Sequence, residues 1–436
     1  MKKYLYLFIL LLLIFSCEYE DYDDNENFQT PLAECIDGIA KINGTDQEYS
    51  CSNYNLMGHI SLEEMDAEAG NDCWGWTDPV SGKEYALMGL NNGTGFIDIS
   101  DPTNPIYLGK LPTATDDSSW RDLKVFNDHV YIVSEAHDHG LQVFDLTKLR
   151  GLESKQIFLM DYLYNGYGHA HNIAINEDSG YAYTAGAGRA DDPKGIHALN
   201  ITDPKFPVLE LEFADIGYSH DIQVVKYKGL DADYFDKEIY IGSNENKVVI
   251  VDVSDKTNPK IISNFYYDHQ YTHQSWLTND HKYLLMGDEL DELDFSDWSV
   301  VKKTRTIIID LTDLDNPKHH YDYKSSTDAI DHNGYVKGTK FYLASYTAGL
   351  RVVDILNIDQ KAISEIGFFD TYNDDNIDGS YNNSKIKQQD PGDDHSGKKG
   401  NIDAFNGAWS VYPFFKSDNI IISDINSGLF IVKKQN

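Results

Sequence analysis

One phrase recurs along the chain: an apolar strand that ends in Asp or Asn, followed by a turn that usually contains Pro. It reads GFIDISDPTNP (95–105), LQVFDLTKL (141–149), IHALNITDPKFP (196–207), VVIVDVSDKTNP (248–259), TIIIDLTDLDNP (306–317) and LRVVDILNI (350–358), with a worn copy, LFIVKK (429–434), near the end. The aligned positions Asp98, Asp145, Asn200, Asp252, Asp310 and Asp354 stand 44 to 58 residues apart. That is the length of a four-stranded propeller blade with variable loops, whereas solenoids use shorter or helical repeats. A second strand with a small-residue end precedes each phrase, as in EYALMGL, EIYIGSN and KYLLMGD. A third precedes that one, as in HNIAIN or HQSWLT, and a fourth follows the Pro turn, as in IYLGKL.

These repeats predict an all-β chain: one seven-bladed β-propeller over residues 35–436, carrying a polar insertion at 373–403. The last repeat stops after its third strand. The segment NLMGHISL (55–62) mirrors PIYLGKL and precedes the first repeat, so it is expected to supply the missing edge and close the ring.

Lys2 and Lys3 precede an apolar stretch, Tyr4 to Phe15, too short for a spanning helix and suited to a secretory leader over residues 1–16. It ends LIFSC, which resembles a bacterial lipoprotein processing box, with Cys17 as the lipidated residue and the membrane as partner through that anchor. The acidic run EYEDYDDNE that follows reads as part of a solvated tether over 17–34. An outer-membrane or cell-surface location, or a periplasm-facing one, is the expectation. In an exported protein Cys35 and Cys51 are expected to form a disulfide, and Cys73, beside two tryptophans, a buried thiol. Asp and Glu outnumber Lys and Arg by 71 to 36, a formal charge of −35 that repels a phosphate backbone and argues against nucleic acid.

The phrase VVIVDV resembles the LVIVD repeat. CWGWTDPVSGKEYALMGLNNGTGFIDISDPTNPIYLGKLPT, SWRDLKVFNDHVYIVSEA, HAHNIAINEDSGYAYTAG, AIDHNGYVKGTKFYLASYTAGLRVVDI and FNGAWSVYPFF are similar to the choice-of-anchor B family of exported bacterial proteins. The resemblance covers nearly all of 35–431 and implies a propeller fold and export, but no activity. The chain departs from the family pattern in its polar insertion and in Cys73.

Aligning the third-strand segments puts Arg121, His171, His220, His273, His332 and Trp409 at one position of successive repeats. On the innermost strands of a propeller, equivalent positions form a ring around the central channel. His171, His220, His273 and His332 therefore converge, either as a hydrated polar lining or as ligands to a transition metal such as Zn, Mn, Fe or Cu. The adjoining Asn, Asp and Gln side chains point the other way and suit hydrogen bonds between blades. Arg121, Asp288 and Glu289 gather near the same face as candidate ligand-binding residues. NDDNIDG, within the insertion, offers oxygens of the kind calcium takes, without the closing Glu of a standard calcium loop.

Two functions fit. One is a surface module that binds a glycan, peptide or protein partner. The other is a metal-dependent lyase, hydrolase or oxidase using the His ring.

Overall fold

Strands that are apolar at every position need cover on both faces, and the architecture supplies it. The computed structural model describes residues 29–187, 195–294, 296, 300–372 and 402–435. The leader, Cys17, most of the acidic tether and residues 373–401 of the insertion lie outside the described residues. The body, from Pro31 onward, is an all-β propeller whose helical content, among the described residues, is a few single 3₁₀ turns.

Among the described residues the strands form seven sheets. Their first strands are Gly70–Thr77, Arg121–Phe126, Asn172–Asn176, Asp221–Lys226, Thr272–Leu277, Gly334–Lys337 and Ala408–Tyr412. These neighbour one another in chain order, and Ala408–Tyr412 lies against Gly70–Thr77. The core is correspondingly divided into wedges between sheets. Tyr240, Val249 and Val251 pack toward the third sheet on Tyr183 and Ala198, while Ile239, Ile241, Val248 and Ile250 pack toward the fifth on Leu284 and Ile307. The alternate residues of one strand thus serve two wedges, which is why VVIVD tolerates no polar residue before its last position.

The third and fourth strands of a sheet slip register by one residue at a recurrent place, Ala198/Leu199 in the third sheet and Ile250/Val251 in the fourth. The same slip falls at Ile431/Val432, where Gly428–Lys434 pairs antiparallel with Tyr54–Ile60 from the N-terminal end of the body.

Not every sheet keeps to the four strands that the repeat predicts. Gln156–Ile157 leaves the second repeat and pairs in parallel with Ile106–Pro112 of the first sheet. Gly109 (φ +121°) permits this approach, since a Cβ there would meet the Gln156 carbonyl at 1.9 Å. The sixth sheet grows to seven strands because Glu48–Ser52 adds to Ala362–Phe369 and carries Ile39–Lys41 and Cys35–Ile36 with it. Cys35 and Cys51 are disulfide-bonded, with Cα atoms 6.0 Å apart, and Cys73 is a buried free thiol.

Leu56 is fully buried on the Tyr54–Ile60 strand. Leu56→Ala should cost about 2–5 kcal/mol in urea unfolding, whereas Val80→Ala, at a residue 78% exposed, should stay within about 0.5 kcal/mol of the parent. A Leu56→Ala loss under about 1 kcal/mol would mean that this strand lies outside the cooperative unit.

Candidate metal centre on the propeller axis

The ring histidines sit at or just before the start of a first strand, and three of them are held there by their backbone. The amides of His171, His220 and His332 donate to the carbonyls of Ala185, Ser243 and Ala344 at 3.0, 2.8 and 2.9 Å. The four imidazoles form a continuous arc, with ring centroids 4.0 Å apart for His171 and His220, 4.5 Å for His220 and His273, and 4.3 Å for His273 and His332.

Their tautomers follow from their partners. His220 Nδ1 donates to the His273 carbonyl at 3.3 Å, and His332 Nδ1 donates to the Trp409 carbonyl at 2.5 Å. In both cases the acceptor is the backbone of the next ring position, so the bond leaves Nε2 with its lone pair free. His171 Nδ1 donates to Glu135 Oε1 at 2.5 Å. This is the outer-shell pattern that orients metal-ligating histidines. The Nδ1 of His273 is buried with no hydrogen-bond partner.

Glu289 turns this arc into a candidate site. Its Oε2 lies 3.8 Å from His273 Nε2 and its Oε1 3.9 Å from His332 Nε2, and Tyr346 donates its hydroxyl to Oε1 at 2.7 Å. Two imidazoles and a carboxylate with ligand atoms within 4.8 Å of one another form a group able to hold a metal ion. Burial, reinforced by the neighbouring imidazoles, pushes His220 and His273 well below the ordinary histidine value. Burial lowers His332 to about 4 against the opposing pull of the Trp409 carbonyl. Neutral imidazoles are the form that binds metal. At His171 burial also disfavours the charge, but the Glu135 carboxylate outweighs it and the value is raised.

Arg121 and Asp288 are occupied elsewhere. Arg121 holds the ring position of the second sheet, yet its guanidinium donates to the Leu90 carbonyl and to Thr113 Oγ1 and meets His139 Nε2 at 2.9 Å. Burial lowers it to about 10. Asp288 accepts from the amides of Gln270 and Tyr271 and from the Tyr267 hydroxyl, pinning the loop that carries Tyr271 over His220.

A second polar layer joins the sheets. Asp122 Oδ2 accepts from the Ile173 amide, Asn172 Oδ1 from Ile222, Gln223 Oε1 from Leu277 and Gln274 Oε1 from Gly334, at 2.8 to 3.2 Å. Asn172 and Gln274, which adjoin His171 and His273, thus bond from sheet to sheet, as do Asp122 and Gln223. At the start of the layer Lys124 Nζ meets Asp122 at 2.5 Å and Asp72 at 3.2 Å, and Asn172 bridges Asp122 to Asp221. Burial raises Asp122, and raises Asp221 to about 7, against the Lys124 charge. Burial opposes ionisation of Asp72 as well, but there Lys124 and hydrogen bonds win and the value is lowered.

Asp231, Asp313 and Asp315 form a second, more exposed group whose oxygens also lie within 4.8 Å of one another. It is built on the Pro turn of one repeat and a loop of another, a meeting that repeat alignment alone does not expose. The sequence also gave no sign of Lys124, Tyr346 or Trp120 at the axis, because none occupies the aligned ring position.

Residues 79–113 and 238–266 match the LVIVD repeat family. No curated protein matches the chain. Among solved structures, hydrazine synthase from Kuenenia stuttgartiensis is similar over 79% of this chain and 91% of that one, at 12% identity and a TM-score of 0.46. At that level nothing about activity transfers.

Lys124 is buried between two carboxylates, so Lys124→Ala should cost about 3–5 kcal/mol at pH 8 by leaving buried charge uncompensated. Without the lysine, burial raises both carboxyls above their unfolded value near 3.9. The deficit should therefore narrow as pH falls from 8 to 5, while the parent, whose Asp72 is lowered, keeps that contribution until the pH drops below about 4. A deficit independent of pH in chemical denaturation would contradict this.

Proposed function

We propose that this chain is an exported, lipid-anchored propeller whose seven sheets close into one ring. In this reading it is a surface ligand-binding module that carries a transition metal at the mouth of its channel. The convergence of His273 Nε2, His332 Nε2 and Glu289 carries the metal assignment. Two imidazoles and one carboxylate suit Zn, Mn, Fe or Cu and suit calcium poorly, since calcium takes oxygen ligands. His220, with its Nε2 free, stands beside the group as a further ligand. The remaining coordination positions would be open to a ligand from outside.

Export and the anchor at Cys17 rest on the leader and the LIFSC box. A glycan, peptide or protein partner is consistent with the rigid sheets and variable loops of LVIVD repeats, and the strong negative charge disfavours nucleic acid. The same donor set favours a second reading, a metal-dependent lyase, hydrolase or oxidase, because a bound ion with open positions supplies a Lewis acid or redox centre.

Elemental analysis of the mature chain after supplementation with each metal tests the centre. About one transition-metal ion per chain is expected, and a His273→Ala/His332→Ala variant should lose it while keeping its cooperative unfolding. A parent that takes up no transition metal, or a variant that retains it, would overturn the proposal.

A further inference from the structure

Glu135 and Tyr346 hold the same place in their sheets. Each is the first residue past the second strand, after Ser134 of His129–Ser134 and after Ser345 of Lys340–Ser345. Glu135 uses that place to accept the Nδ1 hydrogen of His171. Tyr346 uses it to donate its hydroxyl to Glu289 Oε1 at 2.7 Å. The tyrosine is itself held in place. It is 3% exposed, its ring packs on His332 with centroids 4.8 Å apart, and Phe405 meets it edge-on at 5.5 Å. Its backbone opens the short 3₁₀ turn Tyr346–Ala348.

Glu289 is the one carboxylate in the group with His273 and His332. Its backbone is fixed, because the amide donates to the Tyr271 carbonyl at 3.1 Å and the neighbouring Asp288 pins the loop. The long side chain is another matter: a glutamate loses rotamer freedom when it ligates, and a buried donor that orders it beforehand removes that cost from metal binding. The Tyr346 bond also distinguishes the two oxygens. Oε1 stands 3.9 Å from His332 Nε2 but carries the Tyr346 hydrogen, whereas Oε2 stands 3.8 Å from His273 Nε2. A hydrogen on Oε1 favours ligation through Oε2 alone. One-oxygen ligation beside imidazoles suits four-coordinate zinc, while manganese prefers six ligands and gains from a carboxylate that chelates with both oxygens.

We propose that Tyr346 is a positioning residue of the metal group, which holds Glu289 to ligation through one oxygen and so biases the site toward zinc over manganese. This rests on the metal reading above.

Zinc and manganese(II) affinities are measured by competition with a chelating dye for the parent, Tyr346→Phe, Glu289→Ala and the double variant, each first shown to unfold cooperatively. Tyr346→Phe removes one oxygen and keeps the ring on His332. It should bind zinc about tenfold more weakly, with a smaller loss for manganese. In the Glu289→Ala background the same substitution should change zinc affinity no further, since no carboxylate is left to position. A merely structural role would weaken binding in both backgrounds. Unchanged zinc affinity in Tyr346→Phe, the same loss with and without Glu289, or equal losses for zinc and manganese would overturn the inference while leaving the metal centre standing. A parent that takes up no transition metal would overturn the metal reading itself and this inference with it.

Discussion

The structure depends on how each first strand satisfies its inward edge. A strand at the centre of a propeller has no further strand to pair with, and its free amides would be buried without partners. Here a side chain from the preceding sheet reaches across to supply the acceptor, from Asp122 to Ile173, Asn172 to Ile222, Gln223 to Leu277 and Gln274 to Gly334. These bonds tie the second to the sixth sheets in sequence. With successive first strands tied in this way, equivalent residues come level on the axis, and four histidines separated by some 160 residues of sequence become adjacent rings.

That locking accounts for the chemistry of the site. The His220 and His332 side chains extend the same scheme by donating to the backbone of the next ring position, so the bonds that join sheets also point Nε2 at the axis. The imidazoles are preorganised by the fold's own hydrogen bonding, and Glu289, just past the Tyr283–Asp288 strand, brings a carboxylate to form a group able to hold a metal ion. Burial lowers the proton affinity of His220, His273 and His332, which removes the main competitor for a metal ion.

Much of this was legible in the sequence for a physical reason. Repetition forces equivalent residues into equivalent places, so the repeated phrase exposed the strand order, and the alignment exposed the His positions and the bonding role of their Asn, Asp and Gln neighbours. What repetition cannot convey is where a long side chain goes. Arg121 stands in the ring register, but it turns to Leu90 and Thr113, because a buried guanidinium needs several acceptors and finds them there. Lys124 was invisible because its role depends on two carboxylates from different repeats, Asp72 and Asp122. The Gln156–Ile157 strand depended on a single glycine, Gly109, that lets another backbone come close. Glu289 and Asp288 read alike as candidate ligand-binding acids, and only the distances of Glu289 to two imidazoles distinguish it from Asp288, which pins the loop.

The central proposal is a transition-metal ion between His273, His332 and Glu289. Anomalous diffraction from crystals of the metal-supplemented protein, recorded at the absorption edge of the bound element, locates that ion directly. The account predicts one dominant peak on the axis, about 2.0–2.2 Å from both Nε2 atoms and from a Glu289 oxygen. An axis without a peak, or a peak only at Asp231, Asp313 and Asp315, would contradict it.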